Sequence, residues 1–309
     1  MPCELPGLLV DPAWLADHLR QVVVADVRWY LDGRSGPDAH EQGHIPGAAH
    51  LDIDADLSAR PSPGGGRHPL PGPKRLAAVL SAAGIGDDDA VVAYDDAGGA
   101  MAARLVWMLR VTGHAAALLD GGLQAWAGPV ETGRVSRPQA QFTPRRWPAK
   151  LLASIDYAAG TAGRANAVLL DARPADRYRG ESEPIDPRPG HIPGARNLPF
   201  AGNLDPVTNR FLSAAQLRAR FEAVGAGNGV EVVAYCGSGV TACHDLLALE
   251  IAGLPPGRLF PGSWSAWSAD PARPAATGAR PGTSRTRRRT PTTGPVHKPR
   301  SKPREGGEV

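Results

Sequence analysis

The sequence predicts an α/β chain made of two tandem copies of one domain, each a mostly parallel sheet flanked by helices, followed by a disordered basic tail. Three observations predict it. Segments recur in one order: "VVADVRWY" (23–30) with "VLLDARPADRY" (168–178), "GHIPGAAHLDI" (43–53) with "GHIPGARNLPF" (190–200), "VVAYDDAGGAMAARL" (91–105) with "VVAYCGSGVTACHDL" (232–246), and "DGGLQAW" (120–126) with "PGSWSAW" (261–267). Within each copy, short β-branched runs alternate with Ala/Leu-rich stretches. The 309 residues are also enough for two domains, each with its own core.

The first copy is assigned to residues 5–130. "VVVADV" and "AVVAY" run apolar without alternation, as strands buried on both faces do, and "KRLAAVLSAAG" supplies a crossover helix. Residues 131–150 are read as a linker, because their Pro and polar residues show no period and suit a segment laid over the surface. The second copy, 151–270, repeats the pattern with "AVLLDA" and "VEVVAY" around "AAQLRARFEAVGA". From 271 to 309 the chain turns to Pro, Thr, Gly and Arg, and it cannot bury enough apolar surface to offset the entropy of ordering.

That tail holds ten Lys/Arg against two acidic residues, so the net charge of +3 leaves the body net acidic. A nucleic-acid partner is therefore expected nowhere except at "SRTRRRT" in the tail. The opening "MPCELPGLLVDPAWL" lacks the pattern of a secretory leader, and no apolar run approaches the ~20 residues of a membrane-spanning helix. A cytoplasmic protein without a membrane partner is expected. Cys3, Cys236 and Cys243 are too few and too irregular for a disulfide framework, and no CxxC pair suggests zinc.

Chemistry concentrates at "VVAYCGSGVTACHDL", where a strand ends at Cys236 and a helix begins near Val240. Gly237 and Gly239 let the backbone curl so that successive N–H groups converge, and the helix start adds its unpaired N–H groups and positive dipole end. Gly237, Ser238, Gly239, Val240 and Thr241 would thus cradle an anion at Cys236 without a charged side chain, favouring a thiolate or a persulfide. Cys243, a turn or two along the helix, is read as packing. His44 and His191 recur in both copies, one of which lacks the thiol, so a bond to a turn backbone is expected of them. "DIDAD" lacks the Gly and Glu of a calcium loop, having Leu57 and Pro63 there.

"CGSGVTA" together with the paired "GHIPGA" segments resembles the two-domain rhodanese family of sulfurtransferases, and the loop is most similar to that of 3-mercaptopyruvate sulfurtransferases. The resemblance implies two rhodanese-like domains, with the nucleophile in the second only; Asp95 stands where Cys236 stands in the other copy. It implies a double displacement in which Cys236 takes sulfur from a small-molecule donor, 3-mercaptopyruvate or thiosulfate, and passes it to cyanide, a small thiol or thioredoxin, with no metal or organic cofactor. It further implies that Ser238, with Asp54 and His68 from the first domain, handles protons. Asp52 is a rival to Asp54. For the donor's carboxylate it implies Arg177 and a second arginine before "GHIPGA". Arg188 is the one candidate for the latter, with a surface ion pair as its alternative reading.

Other functions remain to be set against these. A phosphatase would need an arginine where the chain has Ala242. Thiosulfate, a dianion, would call for basic side chains inside the loop, and Gly237 and Ser238 offer none. A persulfide carrier that merely hands sulfur to a protein partner would show no turnover.

Overall fold

The computed structural model describes residues 3–282. The tail from 283 to 309, with its expected disorder and its basic segment, lies outside the described residues. Among the described residues no helix is long and apolar enough to cross a membrane.

The N-terminal half runs β1 (Leu9–Val10), α1 (Pro12–His18), β2 (Val23–Asp26), α2 (Gly36–Gln42), β3 (Ala49–His50), α3 (Pro73–Ala82), β4 (Val91–Tyr94), α4 (Ala102–Val111), β5 (Ala116–Leu119) and α5 (Gly122–Ala125). Its five strands are parallel, in the order β1-β5-β4-β2-β3. The C-terminal half runs α6 (Ile155–Thr161), β6 (Ala167–Asp171), α7 (Ala175–Arg179), β7 (Arg196–Asn197), α8 (Ala214–Ala223), β8 (Glu231–Tyr235), α9 (Thr241–Ile251), β9 (Arg258–Leu259) and α10 (Ser263–Ala269). Its sheet, β7-β6-β8-β9, is also parallel, and a bridge from Leu152 to Leu259 stands where β1 stands in the first half. The two sheets therefore have the same order, as the repeat requires.

Every residue of β2, β4 and β5 is buried, which is the pattern of a sheet covered on both faces. Caps fix the helix starts: Asp11 accepts from the Ala13 N–H ahead of Pro12, and Ser213 and Gln216 close a reciprocal capping box on α8. The helices α4 and α9, which follow the equivalent loops of the two copies, pack against each other. Leu105, Val106 and Leu109 share one core with Val240, Leu246 and Leu247, so the halves meet through apolar surface and not through the linker alone.

The linker does more than wrap. Ala140 N–H donates to the Ser81 carbonyl, Asp87 N–H donates to that of Gln141, and Phe142 is buried in the core. The expected tail also begins later than 271. Residues 271–282 pack on the second domain: His191 and Ala276 exchange backbone hydrogen bonds at 2.8 and 2.9 Å, and the Trp267 indole donates to the Pro274 carbonyl at 2.8 Å. Polar composition hid this, because the attachment is made by backbone groups, which carry no signature in side-chain type.

Candidate active site

Cys236 sits at the end of β8, beyond the carboxyl edge of the sheet, where parallel sheets place ligands. Its peptide is pinned from below. The Cys236 N–H donates to Ser263 Oγ at 3.1 Å, and its carbonyl accepts from the Trp264 N–H at 2.9 Å. The Gly239 N–H donates to Cys236 Sγ at 3.1 Å. Gly239 has φ +79°, and a Cβ there would lie 2.5 Å from the Pro261 carbonyl oxygen, so glycine alone fits. Cys236 itself is buried at the floor of a cleft of about 230 Å³, lined also by Gly237, Ser238, Val240, Thr241 and Arg177. Burial pushes the Cys243 thiol up to about 12, and its Sγ lies 3.5 Å from the Gly239 carbonyl, so it stays a packed, inert thiol.

The silent copy of this loop shows what the backbone does there. The Asp95 carboxylate, fully buried, accepts four peptide N–H groups: Ala97 and Gly99 at 2.8 Å on one oxygen, Met101 and Ala102 at 2.7 and 2.9 Å on the other. Burial raises its pKa while these donors pull it down. By the repeat, Ala97, Gly99 and Met101 correspond to Ser238, Val240 and Ala242. The N–H groups of those three have no hydrogen-bond acceptor among the described residues. The two loops thus share one cradle, filled by a side chain in one copy and open above Cys236 in the other.

A hydrogen-bonded chain reaches the thiol loop from the other domain. Ser238 Oγ lies 2.6 Å from His68 Nδ1, His68 Nε2 lies 2.7 Å from Asp54 Oδ1, and the Trp29 indole N–H donates to Asp54 Oδ2 at 2.8 Å. Asp54 can only accept, so Nε2 carries the proton and Nδ1 accepts from the Ser238 hydroxyl. Burial, with the Arg104 and Arg67 charges beside it, lowers the His68 pKa to about 4. Asp52 is the other aspartate of that turn, and it caps the turn by accepting from the Asp54 and Ala55 N–H groups at 2.8 and 2.7 Å.

Arg177 lines the cleft, with its Nη1 3.7 Å from the place a Gly237 Cβ would take. Arg188 does not reach it, which corrects both readings of that residue. Its guanidinium donates to the carbonyls of Trp267, Ser268, Asp270 and Arg273 at 2.7–3.1 Å, at the carbonyl-rich end of α10. The second arginine facing the loop is Arg67 from the first domain, whose Nη2 lies 3.0 Å from the same Gly237 position. It stands next to His68 in "GRHPLPG", a signal overlooked because the expected partner was sought near "GHIPGA".

Arg104 was also missed. Fully buried on α4, it donates to the carbonyls of Gly239 at 2.9 Å, His68 at 2.8 Å and Leu57 at 3.2 Å, tying the thiol loop to the histidine's backbone. The second copy has Asp245 there. His44 and His191 each bond a carbonyl through Nδ1, His40 at 2.7 Å and Tyr178 at 2.8 Å, as expected of fold-level residues.

A family model described as a rhodanese-like domain matches residues 11–129 and 154–270. The chain is 47% identical over 264 residues to a probable 3-mercaptopyruvate sulfurtransferase of Pseudomonas aeruginosa, covering 83% of this chain and 93% of the relative. It is 42% identical over 278 residues to a putative thiosulfate sulfurtransferase of Mycobacterium tuberculosis, covering 88% and 97%. Among solved structures, the 3-mercaptopyruvate sulfurtransferase of Escherichia coli superposes with a TM-score of 0.75 at 31% identity, covering 84% of this chain and 99% of that one.

Proposed function

The chain belongs to the two-domain rhodanese family, and from that premise we propose that it is a sulfurtransferase that takes a sulfur atom from 3-mercaptopyruvate onto Cys236 and delivers it to a nucleophilic acceptor. One observation carries the choice of donor: the hydrogen-bonded line Asp54–His68–Ser238 ends beside the thiol loop. Thiosulfate releases sulfite, a weak base that departs without a proton. 3-Mercaptopyruvate releases a carbon anion that must gain one.

In the first step the Cys236 thiolate attacks the thiol sulfur of the donor. The new S–S bond forms as the donor's C–S bond breaks, and its electron pair moves to carbon as the enolate of pyruvate. The proton of the donor thiol is handed by way of Ser238 and His68 to the enolate carbon, which yields pyruvate and the Cys236 persulfide anion. The open N–H groups of Ser238, Val240 and Ala242 hold that anion in the place that Asp95 fills in the other copy. Arg67 and Arg177 hold the donor's carboxylate by paired N–H donors.

In the second step an acceptor such as cyanide, a small thiol or thioredoxin attacks the terminal sulfur. The S–S bond breaks and its electron pair returns to Cys236. With cyanide the product is thiocyanate and the thiolate is restored. The cleft wall contributed by the first domain explains why a copy without a thiol is retained.

The test mixes the protein with 3-mercaptopyruvate or thiosulfate, adds cyanide, and measures pyruvate and thiocyanate. Catalytic pyruvate release that vanishes in Cys236→Ser, and falls about 10²-fold in kcat in Ser238→Ala, is the expected result. Efficient turnover of thiosulfate with none of 3-mercaptopyruvate would sink it. A single burst of one sulfur per chain, without turnover, would instead mark a persulfide carrier.

A further inference from the structure

We propose that Asp186, seconded by Glu183, sets the charge of the donor that the cleft accepts, fitting it to a monoanion and against a dianion such as thiosulfate. The proposal deepens the donor reading above and rests on it.

The two arginines that face Gly237 are not free cations. Arg67 Nη1 is paired with Asp186 Oδ1, and Arg177 Nη2 donates to Glu183 Oε1 at 2.6 Å and to Asp186 Oδ2 at 3.2 Å. The Asp186 and Glu183 side chains are only 2% and 3% exposed, so water and salt screen them little. Behind them Arg173 is spent on Asp171 at 2.7 Å and on Glu183 at 3.3 Å. Three guanidinium groups are therefore matched by three carboxylates, and the wall opposite Cys236 is close to neutral before any donor arrives.

What remains unpaired is small and directional. Of the guanidinium nitrogens without a partner among the described residues, Arg67 Nη2 and Arg177 Nη1 face the loop, whereas Arg177 Nε is buried. The two that face the loop fit one carboxylate. A second negative charge on the donor would meet the anionic sulfur on one side and two buried carboxylates on the other. Sequence reasoning expected another arginine in "PIDPRPGHIPG"; the charged residue of that stretch that pairs with the two cleft arginines is an acid, and its consequence is charge selection.

The experiment compares the full-length protein with Asp186→Asn, which keeps shape and removes one charge. kcat/KM is measured for 3-mercaptopyruvate and for thiosulfate with cyanide as acceptor. The ratio of thiosulfate to 3-mercaptopyruvate should rise by about tenfold, through a lower thiosulfate KM, and the rise should persist as ionic strength increases, because the buried carboxylates are little screened. An equal fall for both donors would reduce Asp186 to structural support and overturn the proposal. Glu183→Gln, which removes the other carboxylate on Arg177, must move the ratio the same way.

Inert anions give a reading on the wild type that needs neither a folded variant nor the donor assignment. Acetate should compete with the donor more tightly than sulfate does, and Asp186→Asn should reverse that order. Tighter inhibition of the wild type by sulfate would overturn the proposal. Failure of the wild type to release pyruvate from 3-mercaptopyruvate would remove the donor reading, and the acetate and sulfate comparison would then decide the role of Asp186 by itself.

Discussion

Burial keeps the His68 imidazole neutral down to about pH 4, whereas in the unfolded chain it takes up a proton near 6.5. The folded pKa is the lower one, so the unfolded state binds more protons between these values and stability is lost as pH falls from 6.5 towards 4. The full shift corresponds to about 3 kcal/mol. Urea melts of the wild type should therefore weaken between pH 7 and 5, and His68→Gln should flatten that slope; an unchanged slope would mean that the ring is not held neutral. Arg177→Ala should chiefly raise KM for 3-mercaptopyruvate, by about tenfold, in steady-state assays, while an unaltered KM would remove it from the carboxylate site. Ser238 and Cys236 were legible because they lie within one motif, and His68 and Asp54 because the family resemblance pointed to them. Asp54 was preferred to Asp52 on the resemblance alone; what separates them in the structure, the Trp29 indole on Asp54 and a turn that engages Asp52 Oδ1, leaves no mark in the motif. Arg67 was hidden for a similar reason: its target, Gly237, belongs to the other domain.

At the scale of elements, the repeat allowed strand order and the strand–loop–helix unit around Cys236 to be read directly, because buried parallel strands announce themselves as unbroken apolar runs. It did not reveal that α4 and α9 would pack on each other, since both helices are buried along most of their length, Arg104, His244 and Asp245 included, and such polar residues do not announce a buried face. Nor did it show that the loop before α4 is stabilised by its own carboxylate. Asp95→Ala should leave four N–H groups, two of them on buried residues, without their acceptor and cost about 3 kcal/mol, seen as a fall of several degrees in Tm. Because Asp95 lies outside the cleft, pyruvate release per folded molecule should persist. A Tm equal to that of the wild type would show that the cradle holds without its anion.

For the whole molecule, the duplication was plain from matching segments, and the family match over both halves agrees with it. The start of the tail was set too early, because residues 271–282 are held by backbone pairing and by contacts with Trp267 rather than by apolar side chains. Truncation after Gly282 should preserve Tm and turnover. Truncation after Asp270 should lower Tm, since it strips the partners of His191, Trp267 and Arg188. Equal melting curves for the two truncations would contradict that attachment. The second domain expressed by itself would keep Cys236 but lack Asp54, His68, Arg67 and the buried cation under its loop, so it should not release pyruvate.

Possession of two copies of one loop, one plugged by Asp95 and one left open over sulfur, makes the protein its own reference standard. The carboxylate stretch of Asp95, isotope-edited in the infrared, would report the field such a loop imposes on an anion, in the same molecule and sample in which the open loop is charged and discharged. A spectroscopic ruler of that kind is ordinarily engineered; here gene duplication left it in place.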